Sequence, residues 1–346
     1  MTMDMATDDP VADYIREQPA VVAATLSAAR AELTSWSPTA RGVVLVGSGS
    51  SMNAILATAP SFAAAGRGPV LARNPTAFIA EAATLAGWAG LAVILSQSGA
   101  SRTTIAAAEA ARAAGMAVLI VTGDGASPIA ALGLPMVVMP IGAEPIGPKT
   151  KGFGASIAAM LAVAERLGAP LPGLPGLETA LADAVEPARA AMERFATAVP
   201  ALDFLMVAGQ GRLLGIAVEG SLKVAEMAGI PAGGFDTEEA LHGRFHGLTQ
   251  NSAAIFLTAD AAERAEAARA VAVLGSLGIQ AGTIDAAGSP GLCPVPALPA
   301  PFQPLAAVIP LQWLAYHLAR GRGIQPDQMR YPGLSQKLAI KTDQQP

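Results

Sequence analysis

Short runs of uninterrupted apolar residues, each stopped by glycine, proline or a polar residue, alternate along this chain with stretches of helical length. In the first half the runs fall at Gly42–Gly47, Pro69–Ala72, Leu91–Leu95, Ala117–Val121 and Pro135–Met139. Between and after them lie Ser51–Ala64, Thr76–Ala86, Ser101–Ala114, Ser127–Ala131 and Lys149–Leu167, which the pattern predicts as helices. Asp13–Glu32, with apolar residues at helical spacing, precedes the series as one more helix. A strand that is apolar at every position, rather than at every second one, must be covered on both faces, which is the situation of a parallel sheet between helical layers.

The pattern then repeats. Leu202–Ala208 reads as a strand, Leu213–Ala228 as a long helix, and Ala253–Thr258 and Ile279–Ile284 as strands flanking the helix Ala261–Leu277. Leu305–Arg320 is a last amphipathic helix before a polar tail. The Pro/Gly-rich segment Gly168–Gly176 and the helix Leu177–Ala198 separate the two series, so the boundary is placed near residue 195, giving domains 1–195 and 196–346. The expected architecture is α/β, two doubly wound parallel-sheet halves in tandem, a duplicated unit.

Composition narrows this picture. Of 346 residues, 52% are hydrophobic and only 14% charged, the reverse of a disordered chain. The long uncharged stretches Gly125–Ala143 and Ala286–Ala319 are broken by prolines, so neither supplies the roughly 20 apolar residues that span a bilayer. Asp4, Asp8 and Asp9 stand where an export leader would be basic and then apolar, which predicts a cytoplasmic protein. The single cysteine, Cys293, forms no intrachain disulfide or thiolate metal cluster, and its neighbours offer no cation or base to activate it. A net charge of −5 without a Lys/Arg run argues against nucleic acid as a partner.

Chemistry gathers at a few places. Gly47-Ser-Gly-Ser-Ser51 lies between a strand and a helix, where free backbone N–H groups and the helix dipole favour an anion. It lacks the Lys-Ser/Thr of a P-loop and the spacing of a dinucleotide fingerprint, so ATP and NAD are both disfavoured and no cofactor is expected. Ser96-Gln-Ser-Gly-Ala-Ser101 repeats the arrangement after another strand of the same half, with Ser101 at the N-cap of the next helix. A capped helix needs one serine, and the surplus of donors, Ser50, Ser51, Ser96, Gln97, Ser98 and Ser101, points to a phosphate held in one crevice. Glu219, Lys223 and Glu226 share one face of an otherwise nearly uncharged helix. Such a stripe is commonly a solvated salt bridge, but an acid, a base and an acid alone together also suit proton transfer between adjacent carbons. His242 and His246 are four apart, yet Gly243 weakens the helix between them, so no metal site is expected.

Taken together these segments resemble the sugar isomerase (SIS) family, specifically the tandem-SIS isomerase half of glutamine:fructose-6-phosphate aminotransferase. The resemblance is carried by Glu17-Gln-Pro19, Gly47–Ser51, Ser96-Gln-Ser-Gly99, Thr150-Lys-Gly-Phe153, Glu219-Gly-Ser-Leu-Lys223 with Glu226, Glu239-Ala-Leu-His-Gly243 and Pro310-Leu-Gln-Trp-Leu-Ala-Tyr-His317. It implies two flavodoxin-like SIS domains, serine loops that hold a sugar phosphate, and Glu226 as the base acting between C1 and C2, with Glu219 and Lys223 supporting the hydroxyls. It also implies a homodimer in which the neighbour's His242 opens the sugar ring, and a tail lysine that forms a Schiff base, with Lys337 the candidate and Lys341 the other option.

The sequence departs from the family at several points. Ala100 replaces a Glu, Arg244-Phe follows His242-Gly, the segment Arg330–Lys337 is longer than its counterpart, and a glutaminase half is not expected. The resemblance therefore implies a phosphosugar isomerase or deaminase, with glucosamine 6-phosphate to fructose 6-phosphate and ammonia as the expected reaction. Other isomerase or deglycase substrates, and a non-catalytic sugar-phosphate-binding regulator, are the alternatives.

Overall fold

A computed structural model describes residues 10–39 and 41–342, so Asp4, Asp8 and Asp9 lie outside the described residues. The chain opens with α1 (Pro10–Glu32), then β1 (Val43–Val46), α2 (Ser50–Ala64), β2 (Val70–Arg73), α3 (Pro75–Leu85), β3 (Leu91–Ser96), α4 (Arg102–Ala113), β4 (Ala117–Thr122) and β5 (Met136–Val138). These five strands form one parallel sheet in the order β2-β1-β3-β4-β5. Chain direction across the sheet reverses between β1 and β3, and the loops after those two strands flank the crevice this reversal opens. The helix expected over residues 127–131 is instead a single tight turn, Ala130–Leu132, because the chain must fold back at once onto β5.

Two helices, α5 (Lys151–Arg166) and α6 (Leu177–Ala198), lead to the second sheet. There β6 (Phe204–Ala208), α7 (Arg212–Ala228), β7 (Ala232–Phe235), the short α8 (Thr237–Leu241), β8 (Ser252–Thr258), α9 (Ala261–Ser276) and β9 (Gln280–Asp285) repeat the topology, with strand order β7-β6-β8-β9. Gly49 and Gly211, which precede α2 and α7, even share a backbone conformation, with φ, ψ of 57, −135 and 56, −123 degrees. The chain ends in α10 (Gln303–Gly321) and α11 (Leu334–Lys337).

Strand β7 was not foreseen, since Ala-Gly-Gly-Phe has neither an apolar run nor alternation. Its glycines have a reason outside the strand. A Cβ on Gly234 would stand 2.4 Å from the Val218 backbone of α7, so the strand is glycine-rich where the helix lies directly upon it.

One apolar core runs through both halves, joining the inner faces of the two sheets to α1, α5, α6, α7 and α10. Separate smaller cores lie under α3 and α4 and under α9, on the outer faces. The fully buried Trp313 of α10 carries the guanidiniums of Arg16 and Arg189 near its ring, at 5.7 and 5.4 Å, tying α1 and α6 to α10. Glu17, which pairs with Lys151 at 2.5 Å, and Gln18, which accepts from Gln312 at 3.0 Å, brace α1 in the same way. Two of the motif segments singled out in the sequence, Glu17–Pro19 and Thr150–Phe153, are thereby seen to be partners in the scaffold.

The halves meet where α2 crosses α7. A Cβ on Gly215 would fall 2.3 Å from the carbonyl oxygen of Asn53, so glycine is what allows the two backbones to touch. This contact decides what Glu219, one turn further along α7, faces.

Candidate active site

The two serine loops leave the carboxyl ends of β1 and β3, side by side at the point where the sheet order reverses. Ser96 is the last residue of β3 and is buried. Ser101 caps α4 as its sequence suggests, accepting from Thr104 N at 3.4 Å, and Ser98 Oγ accepts from Ala100 N at 3.4 Å. Gln97 passes over Gly152, whose absent side chain leaves it room, and donates to Glu144 at 3.2 Å. Ser51 lies in the first turn of α2. Ser50 is engaged elsewhere: its hydroxyl donates to Glu219 Oε1 at 3.0 Å.

From the other half, α7 brings its charged stripe against this loop. Glu219 and Lys223 are completely buried, which removes the solvated salt-bridge reading for these two. Asn53 Nδ2 donates to Glu219 Oε2 at 2.8 Å, Lys223 Nζ lies 3.2 Å from Glu219 Oε1 and 3.5 Å from Ser50 Oγ, and Lys223 also bonds Glu226. Burial pushes the Glu219 carboxyl above the usual carboxylate range, opposed by Lys223 and Asn53. Burial works against charge on Lys223 as well, but Glu219 and Glu226 together hold its ammonium above the ordinary lysine value. Glu226 is the member of the stripe whose side chain keeps some exposure, 18%, and it opens on a cavity.

That cavity, about 540 Å³, is walled by Gly147, Glu226, Arg330, Tyr331, Gln336 and Lys341, among others. Its outer wall is the C-terminal segment, which crosses back to the first half. Arg102 N donates to Ile340 O at 3.1 Å, Thr342 N donates to Ala100 O at 2.8 Å, and Ser101 and Lys341 form an antiparallel bridge. Lys341 is thereby tied to the second serine loop and shares the cavity with Glu226, whereas Lys337 ends α11 outside that cavity's lining.

A loop that carries no recognisable motif, residues 144–149, completes the surroundings. Glu144, buried, accepts from Thr150 N at 2.7 Å, Thr150 Oγ1 at 3.1 Å and Gly152 N at 3.3 Å, filling the N-terminus of α5 with its carboxylate. Lys149, beside it, donates to the Glu144 carbonyl. Burial lowers the Lys149 ammonium below the usual lysine range, Glu144 opposes this, and Lys341 and Lys223 reinforce it. In the Lys149-Thr150-Lys151 segment only the fold shows that Lys151 is buried against Glu17 while Lys149, half-buried, bonds the Glu144 carbonyl.

The remaining expectations lie apart. His242 follows α8 with a side chain 71% exposed, and its Nδ1 lies 2.8 Å from the Glu238 carbonyl, which raises the imidazole above the ordinary histidine value. His246 is also exposed. Cys293 is buried, and burial pushes its thiol up to about 12. Among the described residues no group of three or more His, Cys, Asp or Glu is placed to hold a metal ion, and no helix is long and apolar enough to cross a membrane. At the corresponding crevice of the second sheet Glu263 accepts from Ala259 N at 2.6 Å and from Gln210 at 3.0 Å, so a carboxylate of the chain itself sits there.

Comparison with known proteins bears on the fold that carries these residues. Residues 39–166 match the SIS domain family. A glutamine–fructose-6-phosphate aminotransferase (isomerizing) of Gloeobacter violaceus is 28% identical over 263 residues, which are 69% of this chain and 42% of that protein. The chain spans less than half the length of the curated relatives it matches. Among solved structures, tagatose-6-phosphate ketose/aldose isomerase of Escherichia coli superposes with a TM-score of 0.74 at 20% identity, covering 96% of this chain and 99% of that one. Glucosamine-6-phosphate deaminase of Thermotoga maritima does so with 0.71 at 19% identity, covering 91% and 98%. At these identities the structural likeness establishes the fold alone, two parallel α/β sheets in tandem.

Proposed function

We propose that this chain, whose residues 39–166 match the SIS domain family, is an isomerase and deaminase of an amino-sugar phosphate, converting glucosamine 6-phosphate to fructose 6-phosphate and ammonia. The observation that carries the proposal is the junction of α2 and α7. Lys223 touches both Ser50 of the first serine loop and Glu226, so a carboxylate stands one side chain away from a loop suited to phosphate.

In this reading Ser51, Ser96, Gln97, Ser98 and Ser101 hold the phosphate through hydroxyl, amide and main-chain donors. Glu219 and Lys223 fix the geometry from beneath, since both are buried and bonded to Ser50 and Asn53. Glu226 takes the proton from C2 of the open-chain amino aldose and returns it to C1. This leaves an imine at C2 that water converts to the ketose and ammonia. The Thermotoga maritima deaminase and the aminotransferase relatives support that substrate class. Ammonia release and ketose formation, measured across hexosamine and hexose 6-phosphates, test it. Binding of these sugars without turnover of any would replace the enzyme by a sugar-phosphate-binding regulator.

Two results are expected of single sites. Replacing Ser96 or Ser98 by Ala removes a donor to a charged ligand, costing about 1–3 kcal/mol, so KM for the phosphorylated sugar is expected to rise by roughly 5- to 150-fold for each. Affinity for the unphosphorylated sugar should hardly change, and an equal weakening of both ligands would make the loop purely structural.

His242, exposed on the monomer, is proposed to complete the site of a second copy, opening the ring there. Mixing inactive Glu226→Gln subunits with inactive His242→Ala subunits should restore about a quarter of wild-type activity, because half the dimers are mixed and each holds one intact site. Proven re-pairing without returning activity would confine His242 to its own subunit.

A further inference from the structure

We infer that Asn53 is a positioning residue for the proton transfer: its amide holds Glu219 as a carboxylate, which keeps Lys223 shared between two acids and so keeps Glu226 a competent base. The inference rests on the isomerase reading above and adds to it a residue of the first half that no motif marks.

Glu219 is completely buried, and its two oxygens are served unequally. Ser50 Oγ, at 3.0 Å, and Lys223 Nζ, at 3.2 Å, both reach Oε1. Among the described residues the one hydrogen bond to Oε2 comes from Asn53 Nδ2, at 2.8 Å. Asn53 is itself buried, and its main chain is pinned on both sides. Its N–H donates to Gly49 O at 3.1 Å, and its carbonyl oxygen lies only 2.3 Å from where a Cβ on Gly215 of α7 would stand. The helix crossing that joins the halves therefore also aims this amide.

A buried carboxylate that loses a donor takes up a proton more readily. With Glu219 neutral, Lys223 would be left to Glu226 alone, and a carboxylate that has an ammonium to itself is a weaker base. The charged groups facing Glu219 are Lys223 and Glu226 of its own helix. Of the elements packed on α7, α2, β6, β7 and β8 carry no charged residue, and His317 and Arg320 of α10 line a separate cavity. The amide of Asn53 and the hydroxyl of Ser50 are thus what reinforces Lys223 in keeping Glu219 charged.

The kcat and KM of Asn53→Leu and Asn53→Asp, measured as a function of pH with whichever sugar 6-phosphate of the assay panel the wild type turns over, test this. Leucine keeps the bulk and removes the donor. Its kcat is expected to fall about tenfold near pH 6, with KM within about twofold of wild type, and to recover toward about pH 9 as Glu219 loses its proton. Aspartate keeps the shape and reverses the trend. Two carboxyls in contact share one proton at low pH, which still serves Glu219, and as pH rises both ionise and repel, so kcat falls. Circular dichroism shows whether each variant is folded, and where the leucine variant is not, the aspartate variant decides alone. A pH profile of Asn53→Asp like that of the wild type, equal losses at every pH in both variants, or a raised KM with kcat kept would overturn the inference and leave the isomerase reading standing. A wild type that turns over no sugar phosphate would overturn both.

Discussion

Glu226→Gln is expected to lower kcat by ~10²–10⁴ while affinity for the sugar phosphate is largely kept. The amide preserves the shape of the side chain but cannot accept a proton from carbon. Lys223 would still be paired with Glu219 at 3.2 Å, and the contacts of Glu219 with Ser50 and Asn53 do not involve residue 226, so the junction between the halves should survive. Steady-state turnover and calorimetric binding on the same preparation separate the two effects. Near-normal turnover would remove the proton-transfer role of Glu226 and with it the isomerase mechanism.

The largest effect on stability is expected from Lys223→Met. Removing this ammonium leaves Glu219 completely buried with Asn53 and Ser50 as its remaining partners, and breaking a buried ion pair from one side costs about 3–5 kcal/mol. The loss should depend on pH with a definite sign. Burial raises the Glu219 carboxyl in the folded protein, and without Lys223 less opposes that rise, so the folded variant takes up a proton at a pH where the unfolded chain has released it. Stability then falls as pH rises from the unfolded carboxyl value, about 4.3, through the raised folded one. Urea denaturation of the variant should therefore show a smaller deficit at pH 5 than at pH 8. In the wild type Lys223 keeps its proton across this window, because Glu219 and Glu226 hold it above the ordinary lysine value. Lys223→Met with Glu219→Gln should recover part of the deficit and flatten the pH dependence. A uniform deficit at both pH values would mean that lost packing, not an uncompensated carboxylate, is the cause.

Both expectations depend on contacts between segments far apart in the chain, and these divide what was legible from what was not. The strands β1, β3, β4, β6 and β8 could be read directly, because a strand covered on both faces writes its burial as an unbroken apolar run, with no knowledge of its neighbours needed. The serine loops and the stripe Glu219–Lys223–Glu226 were legible for the same reason: a cap or a helix face involves residues only a few positions apart.

Strand β7 was not, since its glycines answer to the backbone of α7 rather than to a strand pattern. Nor was the burial of Glu219, which follows from α2 touching α7 at Gly215, a contact whose residues are more than 160 positions apart. Nor was the approach of Lys341 to the serine loop, which is made by main-chain bonds spanning some 240 positions. The sequence by itself determined the elements, the tandem α/β architecture and the types of side chain available for chemistry, because these rest on local periodicity and on the conformational demands of single turns. Which of those side chains are buried, which are paired and which open on a common cavity was decided by the tertiary structure alone, because helix crossings and tail docking minimise exposed apolar area over the whole chain and leave no periodic trace in any one segment.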